Sequence, residues 1–390
     1  MNKQSLLATL KKNAMLIVLV LVYLFFLILT NGSIFSPSNF TELINQNAYV
    51  YILGAGMLMC MLTGGNIDLS CGAFVCLLGA FGGVFMVVQG MSTGLSILLL
   101  LLIGMIYGVI LGFLIAYVHI PPWIATLAGY LAFRGWGTSI LSSNSMTGSL
   151  SLASRVDFRN IFFGRVFPTE KGVFNWPCFI FGLLMAATVA LVIFITRKNR
   201  LAKGYEADSL KSAAVKSCLG GAVIILLMAK LAMDGGIPTT LLWVTGIILI
   251  YSFITSKTTV GRHFYVVGGN MEAARLSGVN TKRIMFLAYL NMAILTVIAT
   301  FTVVSRTQSA YADAGKNFEM DAISACVVGG VSASGGAGTV LGMVIGATLI
   351  GVINLGMSLI SLDANYQRVI KGFVLLAAVV FDIVSKKKNK

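Results

Sequence analysis

Apolar runs of about 18 residues, the length a helix needs to cross the hydrocarbon of a bilayer, recur along the whole of this 390-residue chain. Lipid offers no partner for free backbone N–H and C=O groups, so such runs must be helices or closed barrels. Alternating ten-residue strands are absent, which leaves helices. Twelve apolar segments are predicted, at about 14–30, 47–62, 71–89, 95–117, 122–141, 176–196, 213–233, 239–256, 283–304, 322–333, 338–360 and 368–384. The expected fold is an all-α integral membrane protein of 10–12 transmembrane segments, some discontinuous, forming one domain over residues 1–390. Lys11 and Lys12 before the first run resemble a signal peptide. That run is longer than a signal core and lacks a small-x-small cleavage site, so it is taken as the first span.

Only 11% of the residues are charged, against about 25% in soluble domains. The net charge of +15 does not point to nucleic acid, because the basic residues lie in spaced loops rather than in a basic domain. Lys3, Lys11 and Lys12 open the chain, and Lys386, Lys387, Lys388 and Lys390 close it. Arg197, Lys198, Arg200, Lys203, Lys211 and Lys216 follow the sixth segment, and Lys257, Arg262, Arg275, Lys282 and Arg283 follow the eighth. These groups hold most of the 28 basic residues and fall on one face, which the positive-inside rule makes cytoplasmic. Both termini are expected there, with Trp123, Trp176 and Trp243 as interfacial anchors in the lipid. The six cysteines lie in or beside apolar runs without metal-ligand spacing and read as reduced packing residues.

Catalysis needs convergent titratable groups. The two histidines, His119 and His263, fall in separate loops with no second ligand at metal spacing. Gly315-Lys316-Asn317 lacks the upstream glycine and the following Ser or Thr of a phosphate loop. The chain therefore reads as a non-enzyme with no metal and no cofactor of its own.

One cytoplasmic stretch has a structure of its own. In Val266 to Gly278, Asn270 is a good N-cap, Glu272 falls where the helix dipole favours a carboxylate, and Gly278 is a natural left-handed stop. The prediction is a two-turn helix between membrane spans, offered as a plug to a soluble partner. The alternative is a helix lying on lipid.

Segments two and ten are short and run into glycine pairs, Gly64-Gly65-Asn66-Ile67-Asp68-Leu69-Ser70 and Gly329-Gly330-Val331-Ser332-Ala333-Ser334-Gly335-Gly336. Glycine-interrupted spans in corresponding places point to broken helices around a substrate path, here on the same side. Asp68 is expected to cap the third segment, and Ser332 and Ser334 the eleventh, with path lining as the rival role. Arg134 is the deepest ionisable residue in a span, either functional or tied to carbonyls of a neighbouring helix. Asn354 lies midway along segment eleven and can line a polar path or bridge helices. The ladders Gly104, Gly108, Gly112 and Gly338, Gly342, Gly346 are expected to pack helices within one copy. Pro121-Pro122 should make a sharp corner. Residues 142–175, with Arg155, Asp157, Arg159, Arg165, Glu170 and Lys171, read as a solvated outer loop, and a second charged outer loop spans 305–321. No row of buried carboxylates suits a proton or sodium relay, so the path suits a neutral, hydroxyl-rich solute.

Four stretches together resemble the permease subunits of bacterial ABC importers for monosaccharides of the ribose, xylose and galactose type. They are GGNIDLSCGA, PPWIATLAGYLAFRG, TTVGRHFYVVGGNMEAARLSGV and CVVGGVSASGGAGTVLGMVIGATLIGVINLGMSL, within a match over about 40–384. The extra pair of central spans and the ending YQRVIKGFVLLAAVVFD are most similar to the xylose and multiple-monosaccharide branch. The resemblance implies a permease that pairs with a second copy, a cytoplasmic tandem-domain ATPase that binds ATP and Mg, and an extracytoplasmic sugar-binding protein. It places the coupling loop at about 257–282, with Glu272, Ala273, Ala274 and Gly278 matching the family's E-A-A-x-x-x-G pattern and Asn270 and Ser277 beside them. The longer Ile-x-Leu-Pro ending of that loop is missing, and Asn66 and Cys71 depart from the commonest signature. The expected function is ATP-driven import of a monosaccharide through the bacterial inner membrane by alternating access. A secondary transporter driven by an ion gradient is the main rival. A membrane-bound glycosyl transferase is a second, lacking an acid–base cluster.

Overall fold

The computed structural model describes residues 14–170, 172–207 and 209–387. The orientation charges at Lys3, Lys11, Lys12, Lys388 and Lys390, and Lys171 of the outer loop, lie outside those residues. The chain opens with α1 (Ala14–Leu29), turns at Asn31 and Gly32, and enters α2 (Pro37–Leu62). Ser36 caps α2 by accepting the Asn39 N–H, with Pro37 in the first turn. α2 has 26 residues, so the second segment is not short. Its first turns, Pro37 to Gln46, are polar, and hydropathy alone misses them.

Next come α3 (Cys71–Gly83), continued by a π-helical turn at Val84–Val88, then α4 (Thr93–Ala116) and α5 (Pro122–Asn144). His119 at positive φ and the proline pair make the α4–α5 corner, as expected. The segment that follows carries β1 (Ser149–Ser151), α6 (Val156–Phe163) and β2 (Arg165–Val166). After it come α7 (Trp176–Ala202), α8 (Leu210–Met233), β3 (Ile237–Pro238) and α9 (Thr239–Lys257). Two short helices, α10 (Thr259–Gly269) and α11 (Met271–Leu276), lead to α12 (Thr281–Thr307) and β4 (Ser309–Tyr311). The chain ends with α13 (Phe318–Val328), α14 (Val340–Leu359) and α15 (Ala364–Lys387).

Among the described residues, seven helices are long and apolar enough to cross a membrane: α3 with its π turn, α4, α7, α8, α9, α12 and α14. Burial sorts them by place. In the most apolar stretch of α14, 72% of the residues are inside the protein, against 17% in α7 and in α8. The α7–α8 pair, the extra spans noted in the sequence, stands at the periphery, where its apolar side chains suit lipid. It is held by a small cluster of Cys178, Met228, Leu231 and Ile237.

At the centre α12 packs along α2 and α4. Gly104, Gly108 and Gly112 of α4 leave room only for Val297, Ala293, Leu290 and Phe286 of α12, so that ladder packs within the chain. Gly342 and Gly346 of α14 likewise meet the backbone of Gly329 and Ala325 at the end of α13.

The stretch 142–175 is folded, contrary to the solvated loop expected. β1 pairs antiparallel with β4, and β2 with β3. Phe158 and Phe162 of α6 are buried against Phe301 of α12. Burying one such ring contributes about 1.5–3 kcal/mol, enough to order a short polar segment over the bundle.

Candidate coupling and gating site

Asn270 breaks the helix after α10 with an extended backbone, and its Oδ1 accepts the Ala273 N–H at 2.9 Å. It is the N-cap of α11, as its residue type predicts. Glu272 lies in the first turn, and Gly278 takes the left-handed φ of +83°. Arg275 donates to Glu272 at 2.6 Å, but both side chains are exposed, and such a pair adds at most about 1 kcal/mol. Ala274 does not face outward. It is fully buried, so it anchors α11 on its own protein. Glu272, Ala273, Arg275 and Ser277 point into solvent together with Met271 and Leu276, the last 79% exposed.

The sequence predicted one short helix here, and the structure has two. α10 looks like a loop in sequence because three glycines interrupt it. Thr258 caps it by accepting the Gly261 N–H, and Phe264 and Val267 bury one face.

The end of α10 packs against the two glycine-broken loops. The Gly336 N–H donates to Leu62 O, the last residue of α2, at 3.1 Å. A Cβ on Gly268 would lie 2.6 Å from Gly336 N and 2.8 Å from Leu62 C. One on Gly335 would lie 2.7 Å from Gly65 N, and one on Gly65 2.9 Å from Ala333 C. Real Cβ atoms do not approach backbone this closely, so the three strands of chain can meet only as glycine. Gly64, Gly65, Gly335 and Gly336 also hold positive φ, which glycine alone adopts without strain. Tyr265 of α10 adds a hydrogen bond to Gly338 O at 3.0 Å. Two loops some 270 residues apart in sequence thus touch each other, on the same side as expected, and both touch the segment that carries α11.

Within these loops several expected roles change. Asp68 does not cap α3. Ser70 stands at that position, and Asp68 Oδ1 accepts from the Ser70 N–H at 2.8 Å and from the Ser70 hydroxyl, closing an Asx turn two residues upstream. Ser70 Oγ lies 2.6 Å from the Tyr107 hydroxyl of α4, so the turn is pinned and Asp68 is buried. Asn66 donates to Thr63 O at 3.0 Å and holds the start of the same loop. Ser332 and Ser334 do not cap α14 either. Thr339, nearer the helix, does so by accepting the Gly342 N–H at 2.9 Å. The two serines shape their loop instead, Ser332 Oγ accepting the Ser334 N–H. Gly329 ends α13 against the Gly342 backbone, and Gly330 follows with φ +85°.

Arg134 and Asn354 lie apart from this junction. Arg134 Nη1 donates to Ala312 O at 3.0 Å and Ala314 O at 2.8 Å, so it ties α5 to the segment after β4. Asn354 is on α14, about 20 Å along the helix from Val340, and lines a cavity at the opposite end. The sequence also failed to show two buried carboxylates. Glu319 and Asp321, read as part of an outer loop, are 4% and 3% exposed in the first turn of α13. Asp321 accepts from Tyr49 at 2.6 Å and from Lys371 at 3.0 Å. Nothing local distinguishes them from exposed loop carboxylates, and the partners of Asp321 are on α2 and α15.

Comparison with known proteins places this geometry in context. A family described as "Branched-chain amino acid transport system / permease component" matches residues 39–379. The xylose transport system permease protein XylH of Haemophilus influenzae is 31% identical over 377 residues, covering 96% of each chain. XylH of Escherichia coli is 31% identical over 96% of this chain and 92% of its own. The ribose import permease protein RbsC of Bacillus subtilis is 33% identical over 90% of this chain and 87% of its own. No solved structure matches the chain.

Proposed function

We propose a function from one premise: this chain belongs to the branched-chain amino acid transport system / permease component family. It is the membrane permease subunit of an ABC sugar importer, a multi-pass protein of the membrane. Its cargo is a monosaccharide, xylose or a related pentose or hexose, delivered from outside by a sugar-binding protein. The driving force comes from a separate cytoplasmic ATPase, and the permease works as a pair of copies. The ion-gradient alternative has no support in the relatives.

The observation that carries the mechanism is the packing of Gly268 directly against the Leu62–Gly336 contact. α11, with its exposed Glu272, Arg275 and Leu276, docks on the ATPase. Asn270 is the only residue between α11 and α10, so displacement of α11 is passed to Gly268. From there it reaches the loop after α2 and the loop after α13 together. Separation of those loops opens the path on the coupling side, and their contact closes it. Shifting such an equilibrium from mostly closed to mostly open takes about 5.5 kcal/mol of differential binding, which ATP-driven docking supplies.

The test is purification of the tagged chain in mild detergent after crosslinking from a cysteine placed at Ser277, with mass spectrometry of the product. A crosslink to a soluble protein bearing two ATP-binding motifs is expected. A chain that crosslinks only to lipid or to itself refutes the docking role of α11.

A further inference from the structure

We propose that the tip of the α7–α8 hairpin is a binding surface for an anionic phospholipid of the cytoplasmic leaflet. The proposal concerns the extra pair of spans, to which the coupling mechanism gives no role. It takes from the reading above only that α11 lies on the cytoplasmic side.

The tip lies on that side too. α8 ends at Met233 and leads into β3, which pairs with β2 of the folded segment 142–175. α9 then crosses back and ends at Lys257, directly before α10. The end of α7 and the start of α8 therefore stand at the same end of the bundle as α10 and α11.

Positive charge gathers at the tip. Residues 197–216 hold six basic side chains against two acidic ones, Glu206 and Asp208. The local fold brings the basic ones together. Lys203 and Tyr205 donate backbone N–H groups to Arg200 O, Gly204 turns the chain at φ +71°, and Ser209 caps α8 by accepting the Ser212 N–H at 3.2 Å. Arg197 and Lys216 have partners within the protein. Lys198, Arg200, Lys203 and Lys211 are exposed and form no ion pair among the described residues. By contrast Arg165, Arg306 and Lys371, away from the tip, are each matched by a carboxylate.

Apolar surface decides the kind of partner. α7 packs along α8, and the pair meets the rest of the bundle along α2 and β3, so most of its apolar side chains are open to lipid. That surface continues into the charged tip, where Leu201, Tyr205 and Leu210 are 49%, 63% and 59% exposed. A soluble acidic partner would match the cations and not these side chains. A phospholipid matches both, with its acyl chains along the helices and its phosphate among the cations. One Lys or Arg beside an anionic leaflet strengthens binding about fivefold. The Debye length of about 8 Å at physiological salt lets neighbouring cations on one turn act on the same headgroup.

Cys218 of α8 supplies a local probe, because it is exposed while the other five cysteines are buried. The full-length chain, labelled there with bimane, is placed in phosphatidylcholine nanodiscs that carry a minor fraction of doxyl-labelled phosphatidylglycerol or doxyl-labelled phosphatidylcholine. Quenching should show phosphatidylglycerol preferred at least about fivefold, and the preference should vanish in about 1 M salt, where the Debye length falls to about 3 Å. Lys198→Gln, Arg200→Gln, Lys203→Gln and Lys211→Gln combined should abolish the preference. Arg283→Gln with Arg368→Gln, which removes charge away from the tip, should keep it. The salt measurement needs no substitution, so it decides the matter if the fourfold variant does not fold. Equal quenching by the two lipids in the wild type at low salt, a preference that persists in high salt, or an equal loss in the Arg283/Arg368 variant overturns the surface. The charges are then orientation signals alone. Such a failure leaves the docking of α11 standing, since the crosslink from Ser277 tests that separately.

Discussion

Gly268 and Gly269 are adjacent, yet one added methyl should have opposite consequences at the two positions. At Gly268 a Cβ would stand 2.6 Å from Gly336 N and 2.8 Å from Leu62 C, all rigid backbone. Ordinary contact needs about 3.4 Å or more, and Leu62 O lies nearer still, so α10 must move by more than ~1 Å from the two loops it packs against. Overpacking of this kind costs about 1–3 kcal/mol. Loss of the Gly336–Leu62 hydrogen bond adds about 0.5–1.5 kcal/mol. The packed junction is then disfavoured by about 1.5–4.5 kcal/mol, or roughly 10- to 2000-fold. At Gly269 a Cβ meets nothing within 4 Å. In proteoliposomes holding the complete importer, Gly268→Ala should cut ATP-dependent sugar uptake to below about a tenth while ATP hydrolysis continues. Gly269→Ala should transport as the wild type does. Equal uptake by the two variants would refute this packing as the transmission element.

Three further outcomes follow from particular contacts. Glu272→Lys should weaken association with the ATPase at least about tenfold, read by pull-down, and change thermal stability by less than about 1 kcal/mol, because its pair with Arg275 is exposed. Arg134→Met should lower stability in thermal melts by about 2–4 kcal/mol through the two lost charge-assisted bonds from Nη1 to Ala312 O and Ala314 O. The Thr93 hydroxyl bonded to Asp157 holds that carboxyl below its usual range. Its stabilisation is complete above the ordinary carboxylate pKa of about 4 and is lost as pH falls through the lower folded value, so melting curves of wild type and Thr93→Val should differ at pH 6 and converge in acid.

Where information is local, the sequence revealed it. Asn270, Glu272 and Gly278 define α11 through capping and dipole rules that act within a few residues, and the structure keeps all three roles. Apolar length marks α3, α4, α7, α8, α9, α12 and α14. The polar start of α2 escaped because Pro37 to Gln46 form a largely half-buried stretch of helix that hydropathy reads as loop. Asp68 was misplaced as a cap by two residues and Ser332 by seven, since Ser70 holds the cap position of α3 and the Thr339 hydroxyl caps α14. Glu319 and Asp321 looked like solvated loop carboxylates because Tyr49 and Lys371, which partner Asp321, are distant in sequence. The glycine pairs were visible as breaks, but that Gly65, Gly268 and Gly336 meet depends on the packing of α2, α10 and α13.

The central claim is that an external ATPase moves this chain and the sugar follows. The most direct test is uptake of radiolabelled D-xylose, D-ribose and D-galactose into proteoliposomes carrying the permease, its ATPase and its binding protein. The account predicts uptake of at least one sugar that requires ATP on the side of α11 and the binding protein on the other, and that survives a protonophore. Uptake abolished by the protonophore but indifferent to ATP would contradict it.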